Sequence, residues 1–261
     1  MTVLVEWIAA HALLAWVVLL IVALLAGDLA WRWNFRQRAA AVAIGGEPVA
    51  IRARTVTMLL IAMTLLFAAM AVAIGAQVQG WLPCFDAMLA ADLHIQWPRD
   101  SLRVIAAVSH LGDLWTVATA SVVMLAVLLL RRHPSLATSW TTAVAGIVPL
   151  NSSLKEWFQR PRPLHGQGFM LEPGWSFPSG HAHGAMVFYG MLAYVLLRLL
   201  PPRWHRQVIA GAVAMVTVIG VSRILLQVHY FSDVIAGYAS GAVWLLLCIA
   251  GAEWWRLRQP A

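Results

Sequence analysis

The run "LWTVATASVVMLAVLLLRR", Leu114–Arg132, carries no charge until its last two residues, both arginine. About 20 apolar residues in a helix cross the hydrocarbon of a bilayer, and basic residues at the end of such a run mark a cytoplasmic surface. Extended back to Val104, it is one of seven such segments. The others are Trp7–Ala26, Thr55–Ala76, Ala137–Leu150, His183–Leu200, Val208–Val221 and Val234–Ala250. Of 261 residues, 61% are apolar and 11% charged, whereas a soluble domain has about 25% charged. The chain is therefore expected to be an all-α, polytopic membrane helical bundle of about seven transmembrane helices.

A net charge of +7 would suggest nucleic acid in a soluble protein. Here the arginines gather in short segments between apolar runs, which reads as membrane orientation and not as nucleic-acid binding. If every segment crosses, Arg32, Arg36, Arg38, Arg52, Arg54, Arg131, Arg132, Arg198, Arg203, Arg206, Arg256 and Arg258 fall on one side, the cytoplasmic one. The amino terminus is then outside. The opposite side holds Arg99, Arg103, Lys155, Arg160, Arg162 and Arg223, and Lys155 is the only lysine in the chain. Cations concentrated against the charge rule ask for an anionic partner on the outer face. Arg99 and Arg103 belong to the mixed-charge segment "ADLHIQWPRDSLR", expected to contain a short interfacial helix and otherwise a solvated surface.

Cys84 and Cys248 lie far apart and support neither a disulfide framework nor a metal knuckle. The first apolar run has no basic residue before it and is too long for a signal peptide, so it reads as a retained helix. Residues 1–54 are taken as an N-terminal transmembrane helix with a cytoplasmic loop, and 55–261 as the core. Trp31, Trp33, Trp81, Trp97, Trp254 and Trp255 sit near span ends, where amphipathic rings anchor a bundle.

Three segments carry chemistry. In "KEWFQRPRP", Lys155–Pro163, an ammonium and the guanidinium of Arg162 can neutralise an oxyanion. Pro161 and Pro163 forbid a continuing helix, so Lys155 is expected near a helix end and Arg162 in a loop. A positive membrane flank is the alternative. In "FPSGH", Phe177–His181, Ser179 can cap a helix whose first amides, with Gly180, form an anion site facing His181. Ordinary capping is the alternative. In "SRILLQVHYFSD", Ser222–Asp233, His229 and Asp233 are four apart and would share a helix face. A carboxylate on one imidazole nitrogen leaves the other free as base or nucleophile, and Arg223 adds a cation. The alternative is a polar pair inside a bundle, although ionisable groups at membrane depth are costly and usually functional. His11, His94, His110, His133, His165, His183 and His205 read as surface or interfacial groups.

"KEWFQRPRP", "PSGH" and "SRILLQVHYFSD" resemble, in order and internal spacing, the three signature motifs of the type 2 phosphatidic acid phosphatase (PAP2) superfamily. The resemblance covers Val104 to Ala250, including the "HLGD" run at His110–Asp113. It implies a six-helix PAP2 core, here with an added N-terminal helix. It further implies that His229 attacks phosphorus to give a phosphohistidine, that Asp233 orients it, and that His181 protonates the leaving oxygen and then activates water. Lys155, Arg162, Arg223, Ser179 and the Gly180 amide would hold the phosphoryl oxygens, with no metal and no cofactor. Arg160 matches no signature position.

The implied activity is hydrolysis of a lipid phosphate monoester or diphosphate, with undecaprenyl diphosphate, phosphatidate and phosphatidylglycerophosphate as candidate substrates. A lipid phosphotransferase using the same histidine is the alternative, followed by a non-catalytic lipid-binding or transport protein and by a vanadate-dependent haloperoxidase. Short loops and arginine-biased charge point to a bacterial plasma membrane with the site facing the periplasm.

Overall fold

The computed structural model describes residues 2–43, 51–75, 80–96, 99–163 and 172–258; Trp97 and His165 lie outside them, as does the side chain of His94. Every regular element among these residues is helical: α1 (Thr2–Ala10), α2 (Ala12–Ala43), α3 (Ala53–Gly75), α4 (Trp81–Gln96), α5 (Arg99–Ser109), α6 (Leu114–Leu130), α7 (Pro134–Ala145), α8 (Ile147–Phe158), α9 (Gly180–Leu199), α10 (His205–Leu225) and α11 (Phe231–Arg258).

Five helices are long and apolar enough to cross a membrane, in segments Ala12–Gln37, Ala53–Gly75, Gly180–Leu199, Pro202–Leu225 and Phe231–Arg258. Asp100–Gly112 and Leu114–Leu130, which meet at a 42° bend, are apolar and long enough only when taken together. The described residues thus hold five such helices, or six where the bent pair counts as one span, against the expected number of about seven. The segment expected over 137–150 is instead two short helices, α7 and α8, joined at Gly146, against which the Trp244 indole packs. The first span begins late, because α1 stops at Ala10 and packs on α4. Leu13, Val18, Ile21, Leu25 on α2, Met58, Ile61, Leu65 on α3 and Val122, Val123 on α6 are all exposed. Water would penalise such apolar faces; hydrocarbon does not.

The centre is the packing of α9 against α10 and α11, with α3 on the far side of α11 and α2 on α10. Trp140, Val187, Phe188, Met191 and Leu245 fill one core between α7, α9 and α11. Val5, Leu89, Leu93, Leu102 and Leu225 fill a second between α1, α4, α5 and α10. This second core corrects the reading of residues 91–103 as solvated surface: Asp100 and Arg103 do pair in the open at 3.0 Å, but Leu93 and Leu102 are buried.

Charge sorts along the bundle. Arg206 bridges to Asp28, itself paired with Arg32, and Arg198 and Arg256 pair with Glu253. Asp28 and Arg32 lie on α2, and the others at the end of α9, the start of α10 and the end of α11. The start of α9, the end of α10 and the start of α11 meet at the other end, a helix length of about 30 Å away, and there the remaining cations gather.

Gly237 and Gly241 let α11 approach the backbone of α9. A Cβ at Gly237 would lie 2.7 Å from the Ser179 carbonyl oxygen and 2.9 Å from Ala182 Cβ, and one at Gly241 2.7 Å from the His183 carbonyl. Small residues four apart are the usual means of close helix contact in a membrane. The same contact lets the Ser179 amide donate to the Asp233 carbonyl at 2.9 Å. Gly237→Ala is expected to destabilise the chain by about 1–3 kcal/mol, since a backbone oxygen cannot yield as a side chain would. Gly211→Ala, where nothing stands within 4 Å, serves as the neutral control; thermal unfolding in detergent compares them, and equal midpoints would refute the close-contact account.

Candidate active site

Helix α8 stops because Gln159 adopts a left-handed conformation (φ 45°) and returns its amide to the Lys155 carbonyl at 2.9 Å. Lys155 is left in the last turn, as the sequence predicts, and the two prolines hold Arg160 and Arg162 in extended backbone. Residues two apart on such a chain face the same way. Both guanidiniums accordingly turn toward the connection between α10 and α11.

In that connection, Gln227 is left-handed (φ 59°) and the amides of Val228 and His229 both reach the Arg223 carbonyl. His229 therefore sits in a turn, not on a helix face shared with Asp233 as expected. The pair still meets. His229 Nδ1 is 3.5 Å from Asp233 Oδ2 and 3.4 Å from Ser176 Oγ, and the Ser176 hydroxyl donates to the same carboxylate oxygen at 2.5 Å. The Tyr230 amide donates to that oxygen too, at 2.9 Å. Arg162 Nη1 donates to His229 Nε2 at 3.2 Å and to the Val228 carbonyl at 2.8 Å. These partners assign the proton to Nδ1 and the lone pair to Nε2, which faces the cations.

Phe177, fully buried between Phe67 and Phe158, anchors the chain that enters α9. Ser179 is the N-cap of α9, its Oγ accepting from the Ala182 amide at 3.4 Å, so its hydroxyl serves the helix. His181 follows in the first turn. Its Nε2 contacts Asp113 Oδ1 at 2.7 Å, and Asp113 Oδ2 contacts His110 Nδ1 at 2.5 Å. Asp113 lies at the bend before α6, whose amino end its side chain does not cap. Of the histidines read as surface groups, His110 is exposed but joined to this site through Asp113, whereas His183 is buried against Ser240.

At the centre stands Glu172, which the sequence reading did not single out. One of its oxygens accepts from Arg223 Nη2 and lies 3.7 Å from His181 Nδ1; the other is 3.8 Å from Arg162 Nη2. Arg223, wholly buried, also donates to Ser109 at 2.8 Å. Glu172, His181, Lys155 and Gly180 line one cavity of about 250 Å³, which continues between Leu114, Val117, Ile147 and Val148. A carboxylate thus occupies the focus of three cationic groups. Burial raises its pKa, but Arg223, His181, His229 and Arg162 more than offset that and hold it below the ordinary value. Burial, assisted by Arg162, pushes the Lys155 ammonium down to about 8. Burial likewise pushes His229 down to about 3 against the pull of Asp233, so its imidazole is neutral at ordinary pH.

Of the residues predicted from sequence, Lys155, Arg162, Gly180, His181, Arg223, His229 and Asp233 come together here; the Ser179 side chain turns away. Asp86, Glu172 and Ser176 were missed. Ser176 had a local signal, lying directly before "FPSGH", but Asp86 and Glu172 had none. Among the described residues no cluster of three or more His, Cys, Asp or Glu is arranged to hold a metal ion.

The sequence model of the PAP2 superfamily matches residues 134–257, which hold every cation and both histidines of this pocket. Over those residues, just under half of the chain, it is similar to the PAP2 superfamily. Phosphatidylglycerophosphatase B of Bacillus subtilis is 38% identical over 102 residues, covering 38% of this chain and 49% of that protein. Lipid A 1-phosphatase of Rhizobium johnstonii is 42% identical over 72 residues, covering 28% of this chain and 26% of that one. The chain thus spans about half or less of the length of these two relatives. The crystal structure of a transmembrane PAP2 type phosphatidylglycerolphosphate phosphatase from Bacillus subtilis superposes with a TM-score of 0.67 at 25% identity, covering 77% of this chain and 97% of that one. Within the matched region the two histidines, each with its own carboxylate, converge on the cations that surround Glu172.

If Glu172 holds the position of a bound oxyanion, Glu172→Gln keeps its shape and removes the competing charge. Orthovanadate or inorganic phosphate is then expected to bind the variant about tenfold tighter, read by titration calorimetry. Unchanged or weaker binding would show that the carboxylate stands elsewhere than the anion position.

Proposed function

We propose that this chain is a membrane lipid phosphatase that hydrolyses a phosphate monoester or diphosphate through a phosphohistidine on His229. The observation that carries the reading is the convergence of two histidine–carboxylate pairs and three cations on one pocket whose centre is filled by an internal carboxylate. Phosphoryl transfer asks for little else than positioning and fixed positive charge on the equatorial oxygens.

His229 Nε2 attacks phosphorus and the bond to the leaving oxygen breaks. That oxygen takes the proton on His181 Nδ1, the nitrogen that faces the pocket while Nε2–H is held by Asp113. Water then attacks the phosphohistidine, yields its proton to His181, and inorganic phosphate leaves as the P–N bond breaks. Lys155, Arg162, Arg223 and the amides opening α9 carry the charge on the phosphoryl oxygens. Ser176, bridging Asp233 and His229, helps fix the tautomer.

The cavity supports a lipid substrate, since its polar end holds Lys155 and His181 while Leu114, Val117, Ile147 and Val148 offer an apolar continuation. Two relatives are named for lipid phosphates. The placement of the pocket away from the Arg198, Arg206 and Arg256 end supports a site on the periplasmic face of the plasma membrane, by the positive-inside rule.

Purified protein is expected to release inorganic phosphate from at least one of undecaprenyl diphosphate, phosphatidate and phosphatidylglycerophosphate, in excess chelator and with no acceptor present. His229→Ala provides the blank. Equal release by that variant would refute the nucleophile, and release only when a lipid acceptor is added would identify a phosphotransferase. Lys155 loses its charge as pH rises through about 8, so kcat/KM, which reports the free enzyme, should fall on that alkaline limb. Lys155→Arg, protonated throughout, should move the limb upward, and Lys155→Ala should lose activity by about 100-fold or more. An unmoved limb in Lys155→Arg would assign it to another group.

A further inference from the structure

Arg160 is two residues from Arg162 but touches a different set of groups. Its Nη1 donates to Asp233 Oδ1 at 2.6 Å and to Ser232 Oγ at 2.8 Å, and its Nη2 donates to Asp86 Oδ2 at 2.9 Å. The guanidinium carbon lies 4.2 Å from the centre of the Tyr230 ring. Asp86, on α4, also accepts from the Ser232 amide at 3.1 Å and from the Ser232 hydroxyl. The side chains of Asp86 and Asp233 are 0% exposed and that of Arg160 10%. A guanidinium is thereby enclosed by two carboxylates, one from α4 and one from α11.

A buried ion pair is weak evidence of stability, because desolvation costs several kcal/mol per ion and apolar residues of similar volume would join α4 to α11 as well. What an apolar trio could not do is fix a carboxylate. Asp233 has two oxygens. Oδ2 serves Ser176, the Tyr230 amide and His229, and Oδ1 is taken by Arg160. With both oxygens held, the carboxylate cannot turn about its Cβ–Cγ bond, and the face it shows His229 is constant. Arg160 in turn cannot swing into the anion pocket beside Arg162, because its second nitrogen is anchored by Asp86.

We propose that Asp86 and Arg160 are positioning residues for phosphoryl transfer: Asp86 anchors the Arg160 fork, and the fork locks the Asp233 carboxylate in register with His229. This rests on the reading of His229 as nucleophile. It extends the working site to α4, outside residues 134–257 that carry the family match.

The test uses the full-length chain in mixed micelles with phosphatidate. Misplacing an orienting group costs on the order of 100-fold in rate, so Arg160→Ala should lower kcat by about that factor. KM should stay within about threefold, because the phosphoryl ligands are untouched. Guanidinium chloride at low millimolar concentration should restore part of the lost kcat. Arg160→Lys, able to reach one carboxylate, should fall between parent and Arg160→Ala. Asp86→Asn should lower kcat in the same sense, and the double variant Asp86→Asn/Arg160→Ala should be no slower than Arg160→Ala alone, since the two act in series. The proposal is overturned by an Arg160→Ala protein with kcat within about threefold of the parent. It is equally overturned if loss of kcat tracks a lowered unfolding midpoint with no guanidinium rescue, the behaviour of a simple strap between helices. If instead His229→Ala matches the parent, the nucleophile reading fails and this proposal falls with it, a result distinct from an active parent indifferent to Arg160.

Discussion

Removing an ion from water costs several kcal/mol unless a partner meets it, and one end of this bundle does so with Arg223, Asp233, Asp86 and His229, all nearly or wholly buried. The rest of the arrangement follows from satisfying that cost. Arg223 and Arg162 meet on Glu172, Arg160 spans Asp86 and Asp233, and Asp113 takes His181. The close passage of α11 over the first turn of α9, possible only with glycine at 237 and 241, brings these groups within reach of one another. Without it the Ser179 amide could not meet the Asp233 carbonyl, and the two histidines would belong to separate regions.

The same burial sets the chemistry. Burial keeps the His229 imidazole neutral, the form that the proposed attack on phosphorus requires. Burial lowers the Lys155 ammonium to about 8 and leaves it less strongly hydrated than a free lysine. The cations therefore act in a medium where water does little to weaken them.

Much of the site was legible because charge is scarce in this chain. A lone lysine, a serine-glycine-histidine string before an apolar run, and an arginine-histidine-aspartate series stand out against 11% charged residues, and the spacing of the prolines set the end of α8. What was not legible depends on contacts between distant segments. Asp86 looks like any acid beside a helix start, and its value as a partner exists only once α4 lies against Ser232. Glu172 stands among loop residues with no periodicity to read. One expected span divides for a similar reason. Hydropathy runs smoothly through Gly146, but the indole of Trp244, about a hundred positions later, packs into the break and splits the run into α7 and α8. His229 was placed on a helix because four-residue spacing suggests one; a left-handed Gln227 ends α10 before it.

The bend at Asp113 has a further meaning. An aspartate at the start of a helix ordinarily turns its carboxylate onto the helix's own amides, an arrangement worth about 1 kcal/mol. Here α6 goes without that cap, and the carboxylate reaches sideways to two imidazoles, one partly buried in the pocket and one exposed. At that one residue the carboxylate joins the pocket histidine to an exposed one in place of capping its own helix. A cap restored there would come at the expense of the link between the two imidazoles.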